Sequence, residues 1–124
     1  MKYMILAYGS QREFDALATS PDELSAIGDF LAKFTGELEA SGELVDTQGL
    51  APPVHARRVQ LREGAQVVTD GPFAETEEVL AGYWILDCAG IDRATEIAAR
   101  LNECPGPVPE SGTVVWPLLG EVDS

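Results

Sequence analysis

The residues best equipped for chemistry in this sequence are His55, Arg57 and Asp70, which stand on either side of a short turn signal. An aspartate beside an imidazole can act as a general acid or base, or orient the ring, while an arginine nearby holds an anionic group. A hairpin would bring the three together. Residues 54–62 and 66–70 alternate like strands around Glu63-Gly64, with the glycine supplying the positive φ of a tight turn. Closing the hairpin at Arg62 and Ala65 sets Leu61 opposite Gln66, Val59 opposite Val68 and Arg57 opposite Asp70, and carries His55 to a place opposite Pro72. His55, Arg57, Val59 and Leu61 then share a face with Val68 and Asp70. A plainer reading makes Arg57–Asp70 a surface pair contributing little, with His55 simply exposed after the prolines. Register separates the two, because a slip of one residue turns every side chain to the other face.

Other chemistries find no support in the residue inventory. One histidine and two cysteines, Cys88 and Cys104, with no CxxC pair, leave no ligand set for a metal. Cys88 ends an apolar stretch and reads as a buried, inert thiol. There is no glycine loop for phosphate and no Ser-His-Asp spacing, so no cofactor is expected. A net charge of −13 argues against nucleic acid or anionic lipid as a partner. No apolar run approaches the roughly 20 residues that span a bilayer. The apolar start at residues 1–8 is short and lacks a small-residue cleavage site after it, so it reads as a strand of a cytoplasmic protein.

Such a site needs a frame, and 124 residues suffice for one domain over positions 1–124. Residues 2–8 read as a central strand and 9–19 as a loop. Ser20-Pro21-Asp22-Glu23 marks a helix start, with Ser20 as N-cap and Glu23 in the capping-box position. Leu24, Ile27, Leu31, Phe34 and Leu38 then form one apolar stripe, and Gly42 ends the helix. Residues 43–50 predict a second strand before Pro52-Pro53, and residues 82–88 a further strand. A second helix follows over 91–103, with Asp87 or Gly90 near its start, and then a last strand over 113–119 and a polar tail. The order is β-α-β, an inserted hairpin, then β-α-β: an α+β, ferredoxin-like βαββαβ fold. Two helices cover only one face of its sheet. The other face, with Tyr83, Trp84 and Trp116 on the strands, calls for a partner, and a homodimer is the expectation.

The most unusual stretch is Asp70-Gly71-Pro72-Phe73-Ala74-Glu75-Thr76, a strong turn signal in which Asp70 would bond nearby amides and Phe73 would plug the core. Extended through Glu78, it resembles the signature of the DGPF branch of the YCII-related family. Gly49-Leu50-Ala51-Pro52-Pro53, Val68-Thr69 and Gly82-Tyr83-Trp84 carry the likeness along nearly the whole chain. The resemblance implies a dimeric α+β barrel of two protomers packed sheet to sheet, and a structural role for Asp70, Gly71, Pro72 and Phe73. It implies no fixed reaction. Two departures stand out: Glu77 occupies the place of a common lysine, and Val114-Val115-Trp116-Pro117 lacks an acid and an arginine common in the last strand.

Two functions follow as expectations. One is a small-molecule-binding protein, in its strongest form a cofactor-independent enzyme on an aromatic or lactone-like substrate. Asp70 and His55 would be its acid and base, with Arg57, Phe73, Tyr83 and Trp84 lining an enclosed pocket between sheet and helix edges that Asp70 reaches. The other is a non-catalytic accessory or ligand-sensing domain linked to sigma-factor-dependent transcription. Whether the chain is an enzyme stays open at this point, and for Asp70 the turn cap is the preferred role.

Overall fold

Branched and aromatic residues fill β1 (Lys2–Gly9), and in the computed structural model, which describes residues 1–71, 74 and 76–121, this strand lies inside a sheet. With β2 (Leu44–Gly49), β5 (Val79–Asp87) and β6 (Thr113–Pro117) it makes a four-stranded sheet of order β2-β5-β1-β6. All neighbours are antiparallel. Helices α2 (Pro21–Ser41) and α3 (Ile91–Leu101) connect β1 to β2 and β5 to β6. This interleaving of two βαβ halves is the ferredoxin-like α+β fold.

Alternation along the strands sorts the side chains onto two faces. Tyr3 and Ile5 of β1 pair with Leu86 and Trp84 of β5 and are buried under the helices, against Phe34 and Leu38 of α2 and Ala94, Ile97 and Ala98 of α3. Burying Phe34, Leu38 or Ile97 contributes about 2 kcal/mol each. Trp84 meets Phe34 edge to face at 5.4 Å. The intervening residues Met4, Leu6, Tyr83, Ile85, Val114 and Trp116 point the other way, and no described element covers them; Trp116 is 61% exposed. Tyr83 and Trp84, neighbours in sequence, therefore belong to opposite faces.

Between β2 and β5 stands a separate two-stranded hairpin, β3 (Arg57–Arg62) with β4 (Ala65–Asp70). Its register is the expected one: Arg62 faces Ala65, Leu61 faces Gln66, Val59 faces Val68 and Arg57 faces Asp70. Glu63 (φ 50°) and Gly64 (φ 79°) both take left-handed conformations, the requirement of the two-residue turn that follows strand twist.

Several expectations need correction. Residues 9–19 are not a loop: α1 (Gln11–Ala18) forms there, its N-cap Ser10 accepting from the Glu13 amide. The hairpin strand starts at Arg57 rather than 54, because Pro53–His55 fold into a 3₁₀ turn and take His55 off the strand. Ser20 does precede α2, yet its side chain makes no capping bond, and Gly42 ends that helix at φ 80° as expected. The last helix ends at Leu101, and residues 102–104 tighten into turns ahead of Pro105. Gly90 is its N-cap; Asp87 pairs instead with the Met1 ammonium at 2.8 Å. The strand expected over 82–88 begins earlier, at Val79, and the one expected over 113–119 stops at Pro117.

Candidate functional site

At the root of the hairpin Asp70 and Arg57 do come together, Nε to Oδ1 at 3.1 Å, with both side chains about three-quarters exposed (78% and 74%). Among the described residues no hydrogen bond or ion pair joins the His55 ring to either of them. Gly71, next to Asp70, makes the tightest approach of the region. Its amide donates to the Ala56 carbonyl at 2.9 Å, and a Cβ there would stand 1.9 Å from the Pro53 carbonyl oxygen. The motif's glycine thus locks the end of β4 onto the 53–56 turn, backbone against backbone. That turn is tied in its own right to α1, where the Gln11 side chain accepts from the Val54 amide at 2.9 Å. Glu77, where a lysine was common, pairs with Arg58 at 3.4 Å. Pro72 and Phe73 lie outside the described residues.

A cavity open on one side lies elsewhere, between the helix-facing side of the sheet and α1 and α2, with a volume of about 720 Å³. It is open because the residues that line it are small where large ones would fill it. Ala32, Thr35 and Gly36 of α2 line it, the first and last at its exposed rim, with Ala7, Gly9, Gly49, Ala81 and Gly82 of the strands. Gly36 is informative. Glycine in a helix interior costs about 0.5–1 kcal/mol relative to alanine, yet a Cβ on Gly36 would meet nothing within 4 Å. Phe14, Leu17, Leu31 and Trp84 supply the apolar wall, and the Trp84 indole donates to Thr35 Oγ1 at 3.2 Å, which fixes its plane. The Pro105-Gly106-Pro107 loop closes one side; Gly106, at φ 97°, lies so close to α2 that a Cβ would stand 2.7 Å from Ile27 Cδ1.

Polar groups on the wall are Tyr8, Glu13, Thr35, Glu39, Thr47, Gln48, Asn102 and Thr113, with the Cys104 thiol. Among the described residues the lining holds no lysine, arginine or histidine. Burial raises the Glu13 carboxyl above the usual glutamate range, and the nearby Glu78 charge raises it further. Burial likewise raises the Cys104 thiol, which keeps it neutral. Glu78 shifts the opposite way, because it accepts from the Ser111 hydroxyl and from the amides of Ser111 and Glu110 at 2.5, 2.6 and 2.8 Å. These bonds fasten the far end of the proline loop.

Among the described residues expected in a site, only Trp84 lines the cavity. Tyr83 sits on the opposite sheet face, its hydroxyl donating to Asp46 at 2.9 Å, and Asp70, Arg57 and His55 are not in the cavity wall. Sequence reasoning missed Glu13, although Ser10-x-x-Glu13 followed by Phe14 and Leu17 is a capping signature before an apolar run. It also passed over Gly36, an unforced glycine in a strong helix.

Comparison with known proteins agrees with the motif. A family model of the YCII-related domain matches residues 1–112. An uncharacterised protein of Rhizobium meliloti (strain 1021) is 34% identical over 102 residues, which cover 82% of this chain and 81% of that protein. A match of this extent, over a fold and a hairpin of the expected register, makes the chain a member of the YCII-related family.

Proposed function

We propose that this protein binds a small, mainly apolar organic molecule in the cavity between its sheet and helices α1 and α2. The observation that carries the proposal is the cavity itself: about 720 Å³ kept open by small residues on both walls, one of them a glycine that weakens the helix it sits in. Its lining is mainly apolar, which suits removal of a small organic molecule from water. The probe of choice is N-phenyl-1-naphthylamine, a neutral apolar dye whose emission rises when it leaves water. Saturable binding is expected, with quenching or transfer from Trp84, and Gly36→Leu, which adds bulk at the rim of the cavity where a Cβ meets nothing within 4 Å, should weaken or abolish it while the melting temperature holds or rises. Equal binding by Gly36→Leu, or none by the wild type, would refute the proposal.

An acid–base role for Asp70 and His55 is the proposal's more demanding form. It requires the hairpin root to be shut off from water, and in a single protomer Arg57 and Asp70 stand in solvent. Such chemistry therefore depends on a second copy packing over the outer sheet face and the hairpin.

A further inference from the structure

We infer that Glu13 is the recognition acid of the cavity, donating a hydrogen bond from its carboxyl to the carbonyl oxygen of a neutral ligand. The inference rests on the cavity being a ligand site and adds the chemical class of the ligand. Three observations support it. First, Glu13 stands where the cavity wall meets the end of β1: its Oε2 would lie 3.8 Å from a Cβ on Gly9, beside the Phe14 ring. Second, among the described residues its carboxylate has no hydrogen-bond or ion-pair partner, although it is half-buried. Third, among the described residues the wall carries no cation to balance an anion. Among the described residues the charged groups around Glu13 are Glu39 across the cavity, and Arg12, Glu78 and Glu110 in the crevice behind it.

The charge balance selects the ligand. A carboxylate or phosphate would enter an apolar space with two glutamates and no cation, at a heavy desolvation cost. A neutral molecule avoids that cost, and its carbonyl oxygen needs a donor. Burial and the Glu78 charge favour the protonated, donor form of Glu13. Arg12 lines the same crevice as Glu78, and the Cys104 thiol carries no charge to disturb the balance.

The test uses two neutral dyes of similar size. Prodan carries a ketone oxygen, and N-phenyl-1-naphthylamine carries no carbonyl. Prodan affinity should be highest at acid pH and fall about fivefold as pH rises through and beyond the usual glutamate range, the loss of one hydrogen bond. The naphthylamine should bind equally across that range. Glu13→Gln, which keeps a donor but no longer titrates, should bind Prodan with a flat pH profile, and Glu13→Ala should bind it weakly at every pH. Naphthylamine binding by the same variants reports that they are folded. A Prodan profile that is flat in the wild type, or that keeps its slope in Glu13→Gln, overturns the inference while leaving the cavity as a ligand site. Failure of both dyes to bind, or equal binding of both by Gly36→Leu, removes the ligand site and the inference together.

Discussion

At the scale of single residues, the motif does its work through its glycine. Gly71 packs backbone to backbone on the 53–56 turn, and nothing in that contact can yield as a flexible side chain could. Gly71→Ala should therefore cost about 2 kcal/mol or more, by forcing the hairpin root off the turn; chemical denaturation would measure it, and a loss below a few tenths would contradict the packing. Glu43 gives a second residue-scale prediction. Its side chain is only 14% exposed and receives two bonds from Arg93, at 3.0 and 2.9 Å, together with the Ser41 hydroxyl. The Arg93 guanidinium holds its carboxyl below the usual glutamate range. A carboxyl lowered by folding adds stability above its ordinary pKa, and that stability is lost as pH falls through the folded value. Glu43→Gln should thus cost about 1 kcal/mol at neutral pH, with the gap to wild type closing below about pH 4. Denaturation series at several pH values would show whether it closes.

At the scale of elements, the sequence announced most of the frame. The stripe Leu24 to Leu38 and the Gly42 stop made α2 unmistakable; the hairpin register stayed open in sequence, and the expected closure at Arg62 and Ala65 is the one observed, around two left-handed residues. What sequence could not supply was the path of the short segments. Eight residues make a helix that is marginal on its propensity alone, so α1 exists through tertiary contacts such as Gln11 to Val54, 43 residues away. The site was misplaced for the same reason: the chemistry-bearing types His55, Arg57 and Asp70 are conspicuous in sequence, whereas a cavity is made by absent atoms. Glu78 shows how far the motif segment reaches. It closes that segment and clamps residues 110 and 111, so the loop that walls the cavity depends on it. Its bonds lower its carboxyl pKa, so the clamp holds at neutral pH and lets go only as pH falls below the usual glutamate range. Glu78→Gln should speed hydrogen exchange at the Glu110 and Ser111 amides and quicken release of a bound dye. Unchanged exchange would mean the loop is held by other contacts.

At the scale of the whole molecule, one sheet face remains to be accounted for. Three helices lie on the side that buries Ile5 and Leu86, while Met4, Leu6, Ile85, Val114 and Trp116 form an apolar surface on the other. Val59, Leu61 and Val68 of the hairpin are exposed as well. The protein's charge of −13 would oppose association, but that charge is not on this face, whose ionised groups, Lys2, Asp46 and Asp87, sit at its rim. A second copy of the same face is the partner that meets apolar surface with apolar surface at equal stoichiometry. Homodimerisation is therefore expected, burying on the order of 1,600 Å² in total. Trp116→Glu, which puts a charge in the middle of the joint from each side, should convert the dimer to monomer at micromolar concentration by light scattering. Dye binding should survive that change, since the cavity lies on the opposite face of the sheet. A wild type that is monomeric at that concentration would remove the dimer, and with it the cover proposed to shield Asp70 and His55 from water.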